Sequence, residues 1–191
     1  VILENEAGKA NKKVALLSVF ILSILPTYLF RTMAGVGDKE VFAMFFFFLI
    51  LWLYILALDS NNLRKSILLA SLAGISTGIM NLAWNGANFI FMLIALSSLI
   101  DVFLDRFNKN DLYAYLSWII PTTLILIIFR YGLSGIFNIV FFSITTAIAY
   151  FSLSVAVIYL LLKTKRFEKI AARITSRLHL GIASIIISVL I

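Results

Sequence analysis

Two carboxylates stand close together between two long apolar segments of the sequence. The stretch Phe30–Phe42, "FRTMAGVGDKEVF", holds Asp38 and Glu40 two residues apart, with Arg31 shortly before them. Carboxylate oxygens are hard ligands, and they suit a divalent cation such as Mg²⁺ or Mn²⁺. The sequence has no cysteine and one histidine, so a metal bound here would depend on oxygen ligands. The pair is therefore a candidate metal site.

The same residues also have a purely structural interpretation. Asp38 can cap the apolar helix that follows, and Glu40 then lies in the first turn, against the positive end of the helix dipole. Gly35 and Gly37 would allow the backbone to turn tightly before the pair. Arg31 can extend to lipid headgroups, or it can pair with a carboxylate and orient it. Both interpretations stay open, because the start of a helix is also a rigid mount for a ligand.

A second polar group lies in the stretch "NLAWNGANFI". Asn81, Asn85 and Asn88 are spaced so that they would share one face of a continuous helix. Such a stripe either forms hydrogen bonds between helices or faces a wet cavity that binds a substrate. Trp84 fits the aromatic belt at the membrane interface. Both roles stay open for the asparagines.

The composition predicts the elements that must position these residues. Apolar residues make up 62% of the 191 residues and charged residues 13%, which is far more apolar than a soluble domain. Long apolar runs without alternation indicate helices, because helices satisfy their own backbone in lipid. We predict an all-α polytopic transmembrane helical bundle with six spans and a truncated seventh. The spans are expected at Val14–Phe30, Val41–Leu58, Ile67–Trp84, Ala87–Leu104, Leu112–Phe129, Ile136–Leu162 and Leu180–Ile191.

Two details refine this prediction. Gly74 and Gly78 form a GxxxG pattern, which indicates close packing of one span against another. The first residue is not Met, and the last apolar run, Leu180–Ile191, is too short to span a bilayer. We therefore expect the chain to be an internal fragment of a longer membrane protein.

The basic residues predict the orientation of the chain. Of its 16 Lys and Arg residues, all but three fall on one side of the predicted spans, and that side is cytoplasmic by the positive-inside rule. The three exceptions are Arg31, Lys39 and Arg130, so the Asp38–Glu40 loop is expected on the extracytoplasmic or lumenal face. The net charge of +7 thus reflects topology, and no nucleic-acid partner is needed to explain it. Residues 163–179 are expected to form a cytoplasmic basic amphipathic helix attracted to anionic membrane lipid.

Two motifs resemble a known enzyme family. The stretch "RTMAGVGDKE" resembles the second acidic motif of the N-oligosaccharyltransferase catalytic subunits, and "AWNGANFI" resembles their Ala-Trp-x-Gly-x-x-Phe-Ile stretch. The matching positions are Arg31, Thr32, Ala34, Gly35, Asp38 and Glu40 in the first motif, and Ala83, Trp84, Gly86, Phe89 and Ile90 in the second. The resemblance is clear from about Pro26 to Ile100.

The resemblance implies a membrane glycosyltransferase of the C-type fold. Such an enzyme moves a glycan from a polyprenyl or dolichyl (pyro)phosphate carrier to the asparagine of an Asn-x-Ser/Thr acceptor. Asp38 and Glu40 would ligate Mg²⁺ or Mn²⁺ and would be catalytic together with Arg31, while the metal neutralises the phosphate leaving group. Trp84, Asn85 and Asn81 are candidate substrate-binding residues.

The sequence departs from the family in three places. No loop with a first catalytic aspartate precedes the first apolar run, no later loop with a glutamate is visible, and the soluble domain with its Trp-Trp-Asp-Tyr-Gly motif is absent. We therefore expect these 191 residues alone to be inactive. The alternatives are another C-type lipid-phosphosugar-dependent transferase, or a non-catalytic membrane transporter or scaffold.

Overall fold

The described part of the chain is built of α-helices. The computed structural model describes residues 2–26, 29, 39–131, 144–164 and 180–190, and no β-strand occurs within these ranges. Its helices are α1 (Ile2–Ile24), α2 (Lys39–Leu58), α3 (Leu63–Ala83), α4 (Asn88–Phe103), α5 (Lys109–Leu126), α6 (Ile144–Leu162) and α7 (Leu180–Leu190). A 3₁₀ turn at Asn85–Ala87 joins α3 to α4, and a π-helical turn at Ile127–Tyr131 extends α5. The predicted all-α class is confirmed.

The helix lengths confirm a multi-pass membrane protein. Within the described ranges, four helical stretches are long and apolar enough to cross a bilayer: Val41–Leu58, Leu63–Ala83, Lys109–Phe129 and Thr145–Leu162. α4 and α7 are shorter apolar helices.

Parts of four predicted segments cannot be compared with the structure. Residues 27, 28 and 30 of the first predicted span, residues 136–143 of the sixth and residue 191 of the seventh lie outside the described ranges. Of the predicted basic helix at 163–179, only Lys163 and Thr164 are described, and they form a turn after α6.

Three helices begin well before their predicted apolar runs: α1 at Ile2, α3 at Leu63 and α5 at Lys109. In α3 and α5, polar residues cap the helix outside the apolar part. Asn62 accepts a hydrogen bond from the backbone N–H of Arg64 at 3.0 Å, so α3 starts at Leu63. At the start of α5, the backbone N–H of Asn108 donates to Asp111 at 2.8 Å in a capping box. The apolar run therefore locates a span, whereas the caps determine where its helix begins.

The chain divides into two compact units, Val1–Phe42 and Ala43–Ile191. In the first unit, α1 carries exposed apolar side chains between Val14 and Leu25. The hydroxyl of Ser18 donates to the carbonyl of Val14 at 2.8 Å, which satisfies this polar group within the helix itself.

In the second unit, α3 packs against α5, while α4 and α7 pack against α6. Trp118 on α5 is fully buried at the centre of the core. Its ring lies 5.4 to 6.1 Å from the rings of Tyr54, Phe91 and Tyr115, measured between centroids. One indole thus joins α2, α4 and α5 through aromatic contacts.

The α3–α5 interface is close because α3 has glycines there. A Cβ atom on Gly74 would overlap the carbonyl oxygen of Trp118, and one on Gly78 would crowd the side chain of α5 that faces it. Thr122 donates to the carbonyl of Gly74 at 2.9 Å, and the indole N–H of Trp118 donates to Thr77 Oγ1 at 3.0 Å. The close packing predicted from the GxxxG pattern is confirmed.

Candidate functional site

The acidic motif ends where α2 begins. Glu40 lies in the first turn of α2 and is described by its backbone only, while Arg31 and Asp38 lie outside the described residues. Within the described ranges, no group of three or more His, Cys, Asp or Glu residues could hold a metal. The chemistry of the Asp38–Glu40 pair fits a hard divalent cation. The metal site therefore stays a prediction that rests on these two carboxylates.

The second motif forms a sharp break between two helices. α3 ends at Ala83, and Trp84 adopts an extended conformation with φ −148° and ψ 126°. The backbone N–H of Trp84 still donates to the carbonyl of Met80 at 2.9 Å, which closes the last turn of α3. After the 3₁₀ turn, α4 starts at Asn88. The motif thus forms a helix–turn–helix connection, with Ala83 at the end of α3 and Phe89 and Ile90 in the first turn of α4.

This break corrects the arrangement predicted for the asparagines. Asn81, Asn85 and Asn88 do not share one face of a continuous helix, because the helix ends between them. Instead, Asn81 Nδ2 donates to Asn88 Oδ1 at 2.8 Å, across the turn, and Asn81 is buried. This is the hydrogen bond between helices that one of the two interpretations predicted. Asn85 lies in the turn and is described by its backbone only.

Gly86 permits the turn to fold against its own tryptophan. The Trp84 indole lies so close to Gly86 that a Cβ atom at this position would overlap the ring. The Asn85–Gly86 dipeptide is a common turn sequence, and this signal could have predicted the break before the structure was known.

The turn forms one wall of an apolar cleft of about 210 Å³. The lining residues come from α2, α3, the turn and α4, and they are Met44, Phe47, Met80, Trp84, Gly86, Phe89 and Ile90. Four of them belong to the second motif. Such a lining suits a hydrocarbon group rather than a charged one.

A polar cluster at the opposite end of α4 was not predicted from the sequence. Asp105 adopts φ 58°, in the left-handed region, and accepts a hydrogen bond from the hydroxyl of Tyr159. Lys163 Nζ lies 3.5 Å from the Asp105 carboxylate and donates to Tyr159 at 3.1 Å. These residues are far apart in the sequence, and no short motif joins them. Only the packing of α4 against α6 brings them together.

Comparisons with known proteins identify the family. The family model "Oligosaccharyl transferase STT3, N-terminal" matches residues 9–190. Dolichyl-phosphooligosaccharide-protein glycotransferase 2 of Archaeoglobus fulgidus is 33% identical over 101 residues, which are 53% of this chain and 15% of that protein. The dolichyl-diphosphooligosaccharide–protein glycosyltransferase subunit STT3A of Oryza sativa subsp. japonica is 30% identical over 110 residues, which are 58% of this chain and 14% of that protein. No solved structure matches the chain. The chain therefore belongs to the oligosaccharyl transferase STT3 family and corresponds to its N-terminal part.

Proposed function

We propose that this chain is a membrane part of an enzyme that transfers a glycan from a polyprenyl or dolichyl (pyro)phosphate carrier to the asparagine of Asn-x-Ser/Thr acceptors. The observation that carries the proposal is the acidic motif, whose last residues, Lys39 and Glu40, begin α2 in a multi-pass chain of the STT3 family. The names of the two relatives specify a phosphate carrier in one case and a diphosphate carrier in the other. The proposal therefore covers both kinds of donor.

In this proposal, Asp38 and Glu40 hold Mg²⁺ or Mn²⁺ through their carboxylate oxygens. A divalent cation bound there would neutralise charge on the phosphate that leaves with the lipid. Arg31 either orients one of the carboxylates or binds the phosphate, because its planar guanidinium can form two parallel hydrogen bonds with either group.

The α3–α4 turn is proposed to contact the donor. Trp84 lines the apolar cleft, where its indole can pack against the hydrocarbon part of a lipid carrier. Asn85 is proposed as a polar contact with the substrate. The bond between Asn81 and Asn88 would hold the turn in place, so Asn81 acts on substrate binding through the position of its neighbours.

The acidic motif is proposed to lie on the extracytoplasmic or lumenal face. The argument is the distribution of the 16 basic residues, which concentrate at the other ends of the spans. The acceptor polypeptide and the glycan of the donor would then meet at this outer face.

Removal of the metal tests the proposal directly. The intact protein in membranes should transfer glycan to a labelled Asn-x-Thr peptide, and excess EDTA should abolish the transfer. Mg²⁺ or Mn²⁺ should then restore it, since the leaving phosphate needs a counter-charge. The matched control peptide carries Gln in place of Asn.

Two outcomes would contradict the proposal. Transfer that continues unchanged in EDTA would exclude the role of the metal. Labelling of the Gln peptide through its Thr hydroxyl would instead indicate a transferase that modifies Ser or Thr.

A further inference from the structure

A second cleft has two lysines, Lys109 and Lys163, in its lining. Its volume is about 470 Å³, and it opens between the start of α5 and the end of α6. Leu160 supplies partly exposed apolar surface, and Phe107 borders the cleft but is itself buried. The remaining lining residues are polar or charged, and they are Asn108, Lys109, Lys163 and Thr164. The cleft is thus amphipathic.

The position of this cleft corresponds to a membrane boundary. Lys109 is the first residue of one candidate span, and Lys163 directly follows the last residue of another. Both ammonium groups therefore stand where lipid headgroups stand, with the apolar part of the cleft next to them. A basic pocket between spans on the cytoplasmic side is a typical binding site for an anionic lipid headgroup.

One of the two lysines is held in place by its neighbours. Lys163 donates to Tyr159 at 3.1 Å and lies 3.5 Å from the Asp105 carboxylate, so two groups orient its ammonium group. The hydrogen bond to Tyr159 raises the pKa of Lys163, which favours its charged form. A lysine fixed in this way loses little side-chain entropy when it binds an anion.

The charge of the other lysine, Lys109, is not paired with an acidic group of the described residues. Its side chain is exposed on the wall of the cleft. An exposed ammonium group at a membrane surface attracts anionic lipid.

We propose that this cleft binds the headgroup of an anionic phospholipid, with the phosphate between Lys109 and Lys163 and an acyl chain along Leu160. The site is separate from the acidic motif, and the proposal does not depend on the proposed glycosyl transfer. The bound lipid would fasten the α4–α5 loop to the end of α6.

The test is a lipid titration of the purified full chain in detergent, followed by native mass spectrometry. The probes are phosphatidylglycerol and phosphatidylcholine with the same acyl chains. We expect the chain to retain phosphatidylglycerol preferentially, and we expect Lys109→Gln and Lys163→Gln to weaken this binding about fivefold each. Lys163→Arg should keep most of the affinity, because it keeps the charge.

The matched control is Lys65→Gln. Lys65 is an exposed lysine in the first turn of α3, away from the cleft lining, and its removal should leave the affinity unchanged. Circular dichroism and elution volume establish that each variant is folded. If Lys163→Gln does not fold, Lys109→Gln carries the test, because Lys109 makes no ion pair with the described residues.

Three results would overturn the proposal. Equal retention of phosphatidylcholine would exclude recognition of the anionic headgroup. An equal loss in Lys65→Gln would indicate a diffuse effect of surface charge. Displacement of the lipid by inorganic phosphate at the same concentration would indicate a site for free phosphate.

Discussion

At the scale of single residues, Asn81 and Asn88 form the hydrogen bond that one interpretation of their polar pattern predicted, but they form it across a turn and not along one helix face. The spacing predicted one polar face on a continuous helix. The helix instead breaks at a turn that contains Gly86, where a side chain would overlap the Trp84 indole. The two asparagines then meet across the turn. Residue types and spacing thus indicated the contact, whereas the shape of the turn follows from a close backbone approach that spacing does not encode.

The energy of this bond can be measured by a double-mutant cycle. We expect Asn81→Ala and Asn88→Ala to destabilise the chain less than additively when combined, with a coupling of about 0.6–2 kcal/mol, because the bond lies between two membrane helices. The measurement is the free energy of unfolding of each variant in the same detergent. Asn61→Ala, in the exposed α2–α3 loop, serves as the control and should leave stability unchanged. Strictly additive effects would show that the two side chains do not interact.

At the scale of elements, apolar runs predicted the spans but not the caps. The run Val41–Leu58 agrees closely with α2, because a charged residue stands on each side of it. The starts of α3 and α5 were missed, since Asn62 and Asn108 extend those helices into polar sequence. Side-chain hydrogen bonds to the backbone determine these limits, and hydropathy does not report them.

The α3–α5 interface gives a prediction at the same scale. Gly74→Ala should destabilise the chain by about 1–3 kcal/mol, because its Cβ atom would overlap the backbone of α5. Thr77→Val should cost about 1–3 kcal/mol as well, since it leaves the buried indole N–H of Trp118 without its partner. Thermal unfolding in detergent measures both changes.

The control for this interface is Ser71→Ala, on the same helix and only partly buried. It should unfold at nearly the temperature of the unchanged chain. If Gly74→Ala and Thr77→Val are as stable as this control, then α3 and α5 do not approach each other as closely as they do in the structure.

At the scale of the whole molecule, composition was sufficient to predict the class, whereas the topology expected from the charges stays a prediction. The fold class needed only the long apolar runs, because lipid leaves a helical bundle as the simplest way to satisfy the backbone. The polar cluster of Asp105, Tyr159 and Lys163 could not be predicted in the same way, because it depends on which helices are neighbours.

The topology can be tested with single cysteines, because the chain contains none. Lys39→Cys, at the start of α2, should react with a membrane-impermeant maleimide from the outer face. Asn61→Cys, in the loop after α2, should react only from the cytoplasmic face. The unchanged chain should remain unlabelled. The reverse pattern, with Lys39→Cys labelled from the cytoplasmic face, would place the acidic motif on the wrong side for the proposed reaction.

The central claim is that Asp38 and Glu40 hold a metal rather than only cap α2. Asn caps helices as well as Asp does, so Asp38→Asn removes the charge and keeps a side chain that is able to cap a helix. We therefore predict that Asp38→Asn and Glu40→Gln leave the expression and stability of the intact protein unchanged and lower glycan transfer about 100-fold or more. Asp59→Asn, at the other end of α2, is the control and should retain full activity.

The measurement to make first is the transfer rate of these three variants, at equal protein concentration and saturating Mg²⁺. Near-complete loss in the first two, with normal transfer in Asp59→Asn, is the result that the metal site predicts. Normal transfer by Asp38→Asn and Glu40→Gln would contradict it and would leave the motif with the role of a helix cap.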